Sequence, residues 1–114
     1  SKAAVEDGIL CVGDLRLDSK KLLLSCTKTG KEIRLPEKEF RLMEYLMNNK
    51  GNIISKEQLA LKIWGYDNEA EYNNVEVYMS FTRRKLKFLE TDVQIKSVRG
   101  MGYELRGKEN AKIQ

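Results

Sequence analysis

The 114-residue chain contains no histidine. That absence removes the usual general base, the Ser–His and Cys–His nucleophilic pairs and any imidazole zinc site. Only two cysteines are present, Cys11 and Cys26, and neither belongs to a CxxC pair, so they yield neither a zinc site nor a disulfide framework. They are expected as reduced thiols at small strand positions, in a cytoplasmic setting. No apolar run approaches the ~20 residues of a membrane helix, and the N-terminus lacks the apolar core of a signal peptide. A phosphate loop is also missing, because Gly100-Met101-Gly102 is followed neither by Gly-Lys-Ser/Thr nor by a helix. The expectation is a protein that is not an enzyme and carries no cofactor and no metal.

What is present suits one compact domain. Hydrophobic residues make up 41% and charged residues 33%, ordinary values for a globular chain. The net charge of +4 is unevenly placed: residues 1–72 hold 12 basic and 12 acidic side chains, and residues 73–114 hold 9 and 5. Much of the excess lies in Arg83, Arg84, Lys85 and Lys87, then Lys96 and Arg99. A one-sided basic surface is the footprint of a polyanion binder. The same run also suits a solvated helix face, so charge does not separate the two.

Residues 1–8 read as a tail or linker remnant, 9–106 as the domain and 107–114 as a polar C-terminal tail. Ile9–Val12, Leu15–Asp18, Leu22–Cys26 and Glu32–Leu35 are spaced too tightly for anything but hairpins, so they predict an antiparallel sheet. Pro36 opens a helix with Glu37 and Glu39 in its first turn and Phe40, Met43, Leu46 and Met47 as an apolar stripe. Asn48-Asn49-Lys50-Gly51 stops it, and Ile53-Ile54 is a short strand or bridge. Ser55 and Gln58 form a capping box before a second helix carrying Leu59, Ala60, Ile63 and Trp64 and ending at Gly65. The acidic segment 65–72 reads as a loop, and Asp67, Glu69 and Glu71 would repel phosphates. A role for it therefore points to a protein partner.

Asn73-Asn74 are expected to cap a third helix running to about Leu89. Val75, Met79, Thr82, Leu86 and Leu89 form its core stripe. At 100° per residue the opposite face carries Asn73, Val77, Ser80, Phe81 and Arg84. Val77 and Phe81 are apolar where a plain surface helix would be polar. Two closing strands, Val93–Val98 and Tyr103–Arg106, are joined through Arg99 and the two glycines of a tight hairpin.

Sheet, three helices and hairpin in this order make an α+β winged helix-turn-helix. Its physics suits duplex DNA. The major groove, about 12 Å wide, admits a helix whose exposed side chains meet base edges. A two-stranded wing over 93–106 reaches the adjacent minor groove, where an arginine such as Arg99 favours the negative potential of narrow A·T-rich stretches. Arg84, Lys85, Lys87 and Lys96 are expected to neutralise phosphates, while Asn73, Asn74, Val77, Ser80 and Phe81 face bases. Asn amides suit adenine and apolar groups suit the thymine methyl, which predicts an A·T-leaning preference.

The chain resembles the C-terminal effector domain of the OmpR/PhoB family of response regulators over roughly Leu10 to Leu105. The resemblance is carried by Leu35-Pro36-Glu37-Lys38-Glu39-Phe40, by Ile53-Ile54-Ser55-Lys56-Glu57-Gln58-Leu59 leading to Ile63-Trp64-Gly65, by Val75-Glu76-Val77-Tyr78-Met79 with Arg83-Arg84-Lys85-Leu86, and by Ile95 to Tyr103. It implies a four-stranded N-terminal sheet, a three-helix core and a C-terminal β-hairpin wing. It also implies DNA contacts from Asn73, Asn74, Val77, Tyr78, Ser80, Phe81, Arg84 and Lys85 on a recognition helix over about 73–89, and from Lys96, Ser97, Arg99 and Tyr103 on the wing. Trp64 matches a position that reaches a phosphate, with core packing as the alternative. The loop 65–72 matches one through which some members touch RNA polymerase. A phosphorylated receiver domain and a sensor kinase are implied outside this chain. The domain alone is expected to be a monomer that pairs on tandem half-sites. Asn73, Ser80 and Phe81 stand where some relatives carry arginine, so no operator sequence transfers. Thr82 replaces an aliphatic residue in the core stripe, and its hydroxyl is expected to bond back to the helix backbone. The alternative reading is a winged-helix protein-interaction module, with Val77 and Phe81 as an apolar contact patch.

Overall fold

The computed structural model describes residues 4–6, 8–65 and 69–107, with residues 4–6 and 69–73 described by their backbone. The chain runs β1 (Ala4–Glu6), β2 (Ile9–Val12), β3 (Leu15–Asp18), β4 (Leu23–Cys26), β5 (Glu32–Arg34), α1 (Glu37–Asn48), α2 (Lys56–Trp64), α3 (Glu69–Leu89), β6 (Gln94–Val98) and β7 (Gly102–Arg106). Strands β1 to β5 pair antiparallel in sequence order, and β6 and β7 form a separate hairpin. This is the expected winged-helix architecture, with a short fifth strand added at the sheet edge. That strand falls within residues 1–8, read from sequence as tail. Ala4–Glu6 has too few residues to show a period, and pairing with β2 rather than local pattern makes it a strand.

Register explains why the sheet has one dry face. Leu10 opposes Leu17 and Val12 opposes Leu15, while Leu17 opposes Leu24 and Leu15 opposes Cys26. All six are buried, so two cross-strand rows of apolar side chains cover α1. Cys11 and Cys26 are free thiols within β2 and β4, the small strand positions expected for them. From α1, Leu42, Met43, Leu46 and Met47 enter the core, and α2 adds Leu59, Ala60 and Ile63.

Local signals set the helix ends. Ser55 Oγ accepts from the Gln58 N–H while Gln58 Oε1 accepts from the Ser55 N–H, completing the capping box. Gly65 closes α2 with φ +85°, a left-handed conformation that suits glycine. Helix α3 begins at Glu69, one turn before the expected cap at Asn73-Asn74, so Glu69 and Glu71 lie in helix rather than in the loop read over 65–72. The run Glu-Ala-Glu is made of good helix formers, and carboxylates favour a helix N-terminus. Asn73 and Asn74 are thus interior residues of α3.

The core stripe of α3 is as its spacing predicts: Val75, Met79, Thr82, Leu86 and Leu89 are all buried. Thr82 Oγ1 donates to the Tyr78 carbonyl at 2.8 Å, the back-bond that makes a buried hydroxyl tolerable.

Candidate nucleic-acid interface

With its core stripe turned inward, α3 leaves Val77, Ser80 and Arg84 exposed and Phe81 partly so. Val77 is 46% exposed, one of five large apolar residues that the described surface leaves open. Phe81 is held edge-on against Tyr78 at 5.7 Å, and Tyr78 against Trp64 at 5.3 Å. This aromatic row gives the face a rigid apolar base. The Arg84 guanidinium lies 5.8 Å from the Phe81 ring, so the ring and the cation share one patch. Tyr78 and Trp64 are partly buried against the core. Trp64, matched from sequence to a phosphate-reaching position or to core packing, thus packs against the core while remaining partly exposed.

The wing stands beside this face. Lys96, Ser97, Arg99 and Met101 are exposed, and Tyr103 is buried at its base. Both strands of the hairpin are attached to the helical core, and the Gly51 N–H donates to the Leu105 carbonyl of β7 at 3.1 Å. On the β7 side, Ile54 and Tyr103 exchange backbone hydrogen bonds of 2.8 and 2.9 Å, so the expected Ile53-Ile54 bridge forms as Ile54 against Tyr103. Gly102 has φ +144°, and a Cβ there would sit 2.1 Å from the Ile54 carbonyl oxygen. On the β6 side, Arg83 of α3 donates from Nε and Nη2 to the Ile95 carbonyl, at 3.2 and 2.9 Å, and from Nη2 to Ser97 Oγ at 2.8 Å. Lys56, Glu57, Ser97, Arg99 and Met101 line a cleft between the wing and the start of α2.

Several expected positions take other roles. Lys85, read as a phosphate contact, turns inward: its ammonium lies 2.7 Å from Glu39 Oε1, and Glu39 is a buried carboxylate. A buried charge requires a partner, so Lys85 serves the joint between α1 and α3 rather than the open face. Tyr103, expected among the wing's DNA contacts, is buried beneath Arg83, whose guanidinium lies 5.6 Å from its ring. The side chain of Asn73 and all of Asp67 lie outside the described residues, as do the side chains of Glu69 and Glu71. Asn74 is partly buried.

Residues 30–105 match the family described as "Transcriptional regulatory protein, C terminal". The chain belongs to that family. The transcriptional regulatory protein DltR of Streptococcus agalactiae is 42% identical over 96 residues, which is 84% of this chain and 42% of DltR. The response regulator ArlR of Staphylococcus aureus is 38% identical over 98 residues, 86% of this chain and 44% of ArlR. The chain thus spans less than half the length of these curated relatives. The crystal structure of the DNA-binding domain of CpxR from E. coli has a TM-score of 0.72 at 25% identity, covering 89% of this chain and 98% of that one. This chain is a domain of the OmpR/PhoB response-regulator type, a class of transcription regulators and not of enzymes.

In this regulator domain, three functional side chains were not singled out from sequence. Glu39, a favourable first-turn charge, and Lys56, beside the capping box, both stand in the family motifs but have no contact assigned to them from sequence. Arg83 belongs to the basic run and to the recognition-helix motif, again with no contact assigned to it from sequence. Lys56 pairs with Glu76 on α3, and its hydrogen bond to that carboxylate raises the Lys56 ammonium above its usual range against the opposing effect of desolvation. The pair masks an acidic group next to the basic face. The partners of all three residues come from other elements, which no local spacing announces.

Proposed function

We propose that this domain binds duplex DNA sequence-specifically, with α3 in the major groove and the β6–β7 wing in the adjacent minor groove. The observation that carries the reading is the exposed face of α3, where Val77, Ser80, Phe81 and Arg84 form one patch while the opposite stripe is locked in the core. Fixed in this way, the helix presents side chains without reorganisation, which suits base readout. Val77, Ser80 and Phe81 face base edges together with Asn73 and Asn74, and the two apolar groups favour thymine methyls. Arg84 and Lys96 neutralise phosphates, and Arg99 enters a narrow A·T-rich minor groove.

The same reading places this domain as the effector part of a two-component response regulator. The receiver domain and sensor kinase lie outside the chain, and 65–72 is a candidate contact for RNA polymerase. The isolated domain is a monomer that pairs head to tail on tandem half-sites.

Selection from a randomised duplex library, with bound pools sequenced at two salt concentrations, tests the reading. An A·T-leaning motif that persists at the higher salt supports base readout. Retention without a motif reduces the domain to phosphate binding. No retention even at low salt overturns the reading in favour of a protein-interaction module using Val77 and Phe81.

A further inference from the structure

We infer that Arg83 is a positioning residue that sets the wing's angle to the recognition helix, and so determines whether Arg99 can reach the minor groove. The inference rests on the DNA-binding reading above. The two strands of the wing are anchored differently. Its β7 strand is attached through the Ile54–Tyr103 backbone pair and through the Gly51 N–H, which donates to the Leu105 carbonyl at 3.1 Å, and the built-in contact at Gly102 keeps that strand against the α1–α2 connection. These backbone bonds all fall on β7, so they do not hold the tip half of β6, where Lys96 and Ser97 are exposed, and a two-stranded hairpin is marginal without such support. Arg83 supplies an anchor on the other strand and from a different element. Its Nε and Nη2 converge on the Ile95 carbonyl, Nη2 also reaches Ser97 Oγ, and the guanidinium lies over the ring of Tyr103, the residue that pairs with Ile54.

A planar fork can make these contacts together, whereas a lysine ammonium offers a point charge without the fixed geometry. Ser97 lies two residues before Arg99, on the strand that leads directly to the tip. An error in angle at Ser97 is therefore carried to Arg99. The adjacent Arg84 is exposed and engages only the Phe81 ring among the contacts described, so neighbouring arginines divide the work: one faces outward and one faces the wing.

The test is a double-mutant cycle on DNA binding with wild type, R83A, R99A and R83A/R99A, using a duplex from the selection with an A·T-rich flank. If Arg83 acts through the wing, R83A and R99A each weaken binding by about tenfold, and the double variant loses little more than either alone. R83K behaves as R83A. Hydroxyl-radical cleavage should show that R83A loses protection of the flanking minor groove while the central site stays protected. On the free protein, backbone relaxation at 96–102 should show greater motion in R83A and R83K than in wild type, a readout independent of DNA. Additive losses in the cycle, full rescue by R83K, or unchanged wing motion would each overturn the inference and leave Arg83 as a plain phosphate contact. If wild type itself fails to bind DNA, the functional reading fails, and the relaxation data still decide whether Arg83 holds the wing.

Discussion

Glu39 carries its charge at 4% exposure, on the side of α1 that meets α3. Its partner Lys85 has a side chain only 23% exposed, so water compensates neither group fully. Breaking a buried pair by removing one member is costly because the other charge is stranded. Lys85→Ala should destabilise the domain by about 3 kcal/mol, the low end for such pairs because Lys85 keeps some solvent. Denaturant unfolding measures this. Arg84 makes the contrast. Arg84→Ala should leave stability within about 0.5 kcal/mol and lower the log–log salt slope of DNA binding by about one. If Lys85→Ala lowered the slope while sparing stability, the two assignments would have to be exchanged.

At the scale of elements, the sheet is joined to the far end of α3 by a compact polar cluster. Asp14, in the turn between β2 and β3, accepts hydrogen bonds from the Thr91 hydroxyl and from the Asp92 N–H at 3.0 Å. Thr29 donates to the Leu89 carbonyl at 2.8 Å, and Lys28 pairs with Asp92 at 2.8 Å. Burial works to raise the Asp14 carboxyl, but the hydrogen bonds from Thr91, Asp92 and Cys26 and the charge of Lys28 outweigh it and hold it below its ordinary 3.8. A carboxyl lowered in the folded state stabilises the fold above its unfolded value, and that contribution disappears as pH falls through the lowered value. Asp14→Asn should therefore unfold at lower denaturant than wild type at about pH 6, with the gap closing as pH falls below 3.8 and through the lowered value. A gap that stays constant with pH would show that the carboxylate charge is irrelevant to the joint. The wing makes a second joint, and Gly102→Ala tests it. The added Cβ would meet a backbone oxygen at 2.1 Å, which no side-chain rotation relieves. A loss of at least about 2 kcal/mol is expected, with loss of the Ile54–Tyr103 amide protection in hydrogen exchange.

For the molecule as a whole, the relevant quantity is how much charge reaches the binding face. A net of +4 is small for a polyanion binder, and several basic side chains are engaged internally: Lys28 with Asp92, Lys31 with Glu90, Lys56 with Glu76 and Lys85 with Glu39. Arg84, Lys96 and Arg99 remain exposed along one side. With Lys87, also exposed, this makes four cations, and neutralising about four phosphates gives a salt slope near −4. Affinity titrations across salt concentration measure it. A slope near zero would remove the electrostatic basis of the proposal.

The sequence by itself determined the elements whose signals are local. The capping box at Ser55 and Gln58, the stop at Gly65 and the buried stripe Val75-Met79-Thr82-Leu86-Leu89 follow from spacing along one helix, because hydrogen bonds and faces repeat every three to four residues. The outward patch of Val77, Ser80, Phe81 and Arg84 was legible for the same reason. Tertiary structure alone decided which way each cation turns. Lys85 faces Glu39 and Arg83 faces Ile95 and Ser97, although both belong to one basic run with Arg84. Strand β1 and the early start of α3 were likewise hidden, the first because pairing with β2 defines it, the second because Glu69 to Tyr72 show no apolar period. Charge gives a residue a reason to seek a partner, but the fold supplies that partner from a distant part of the chain.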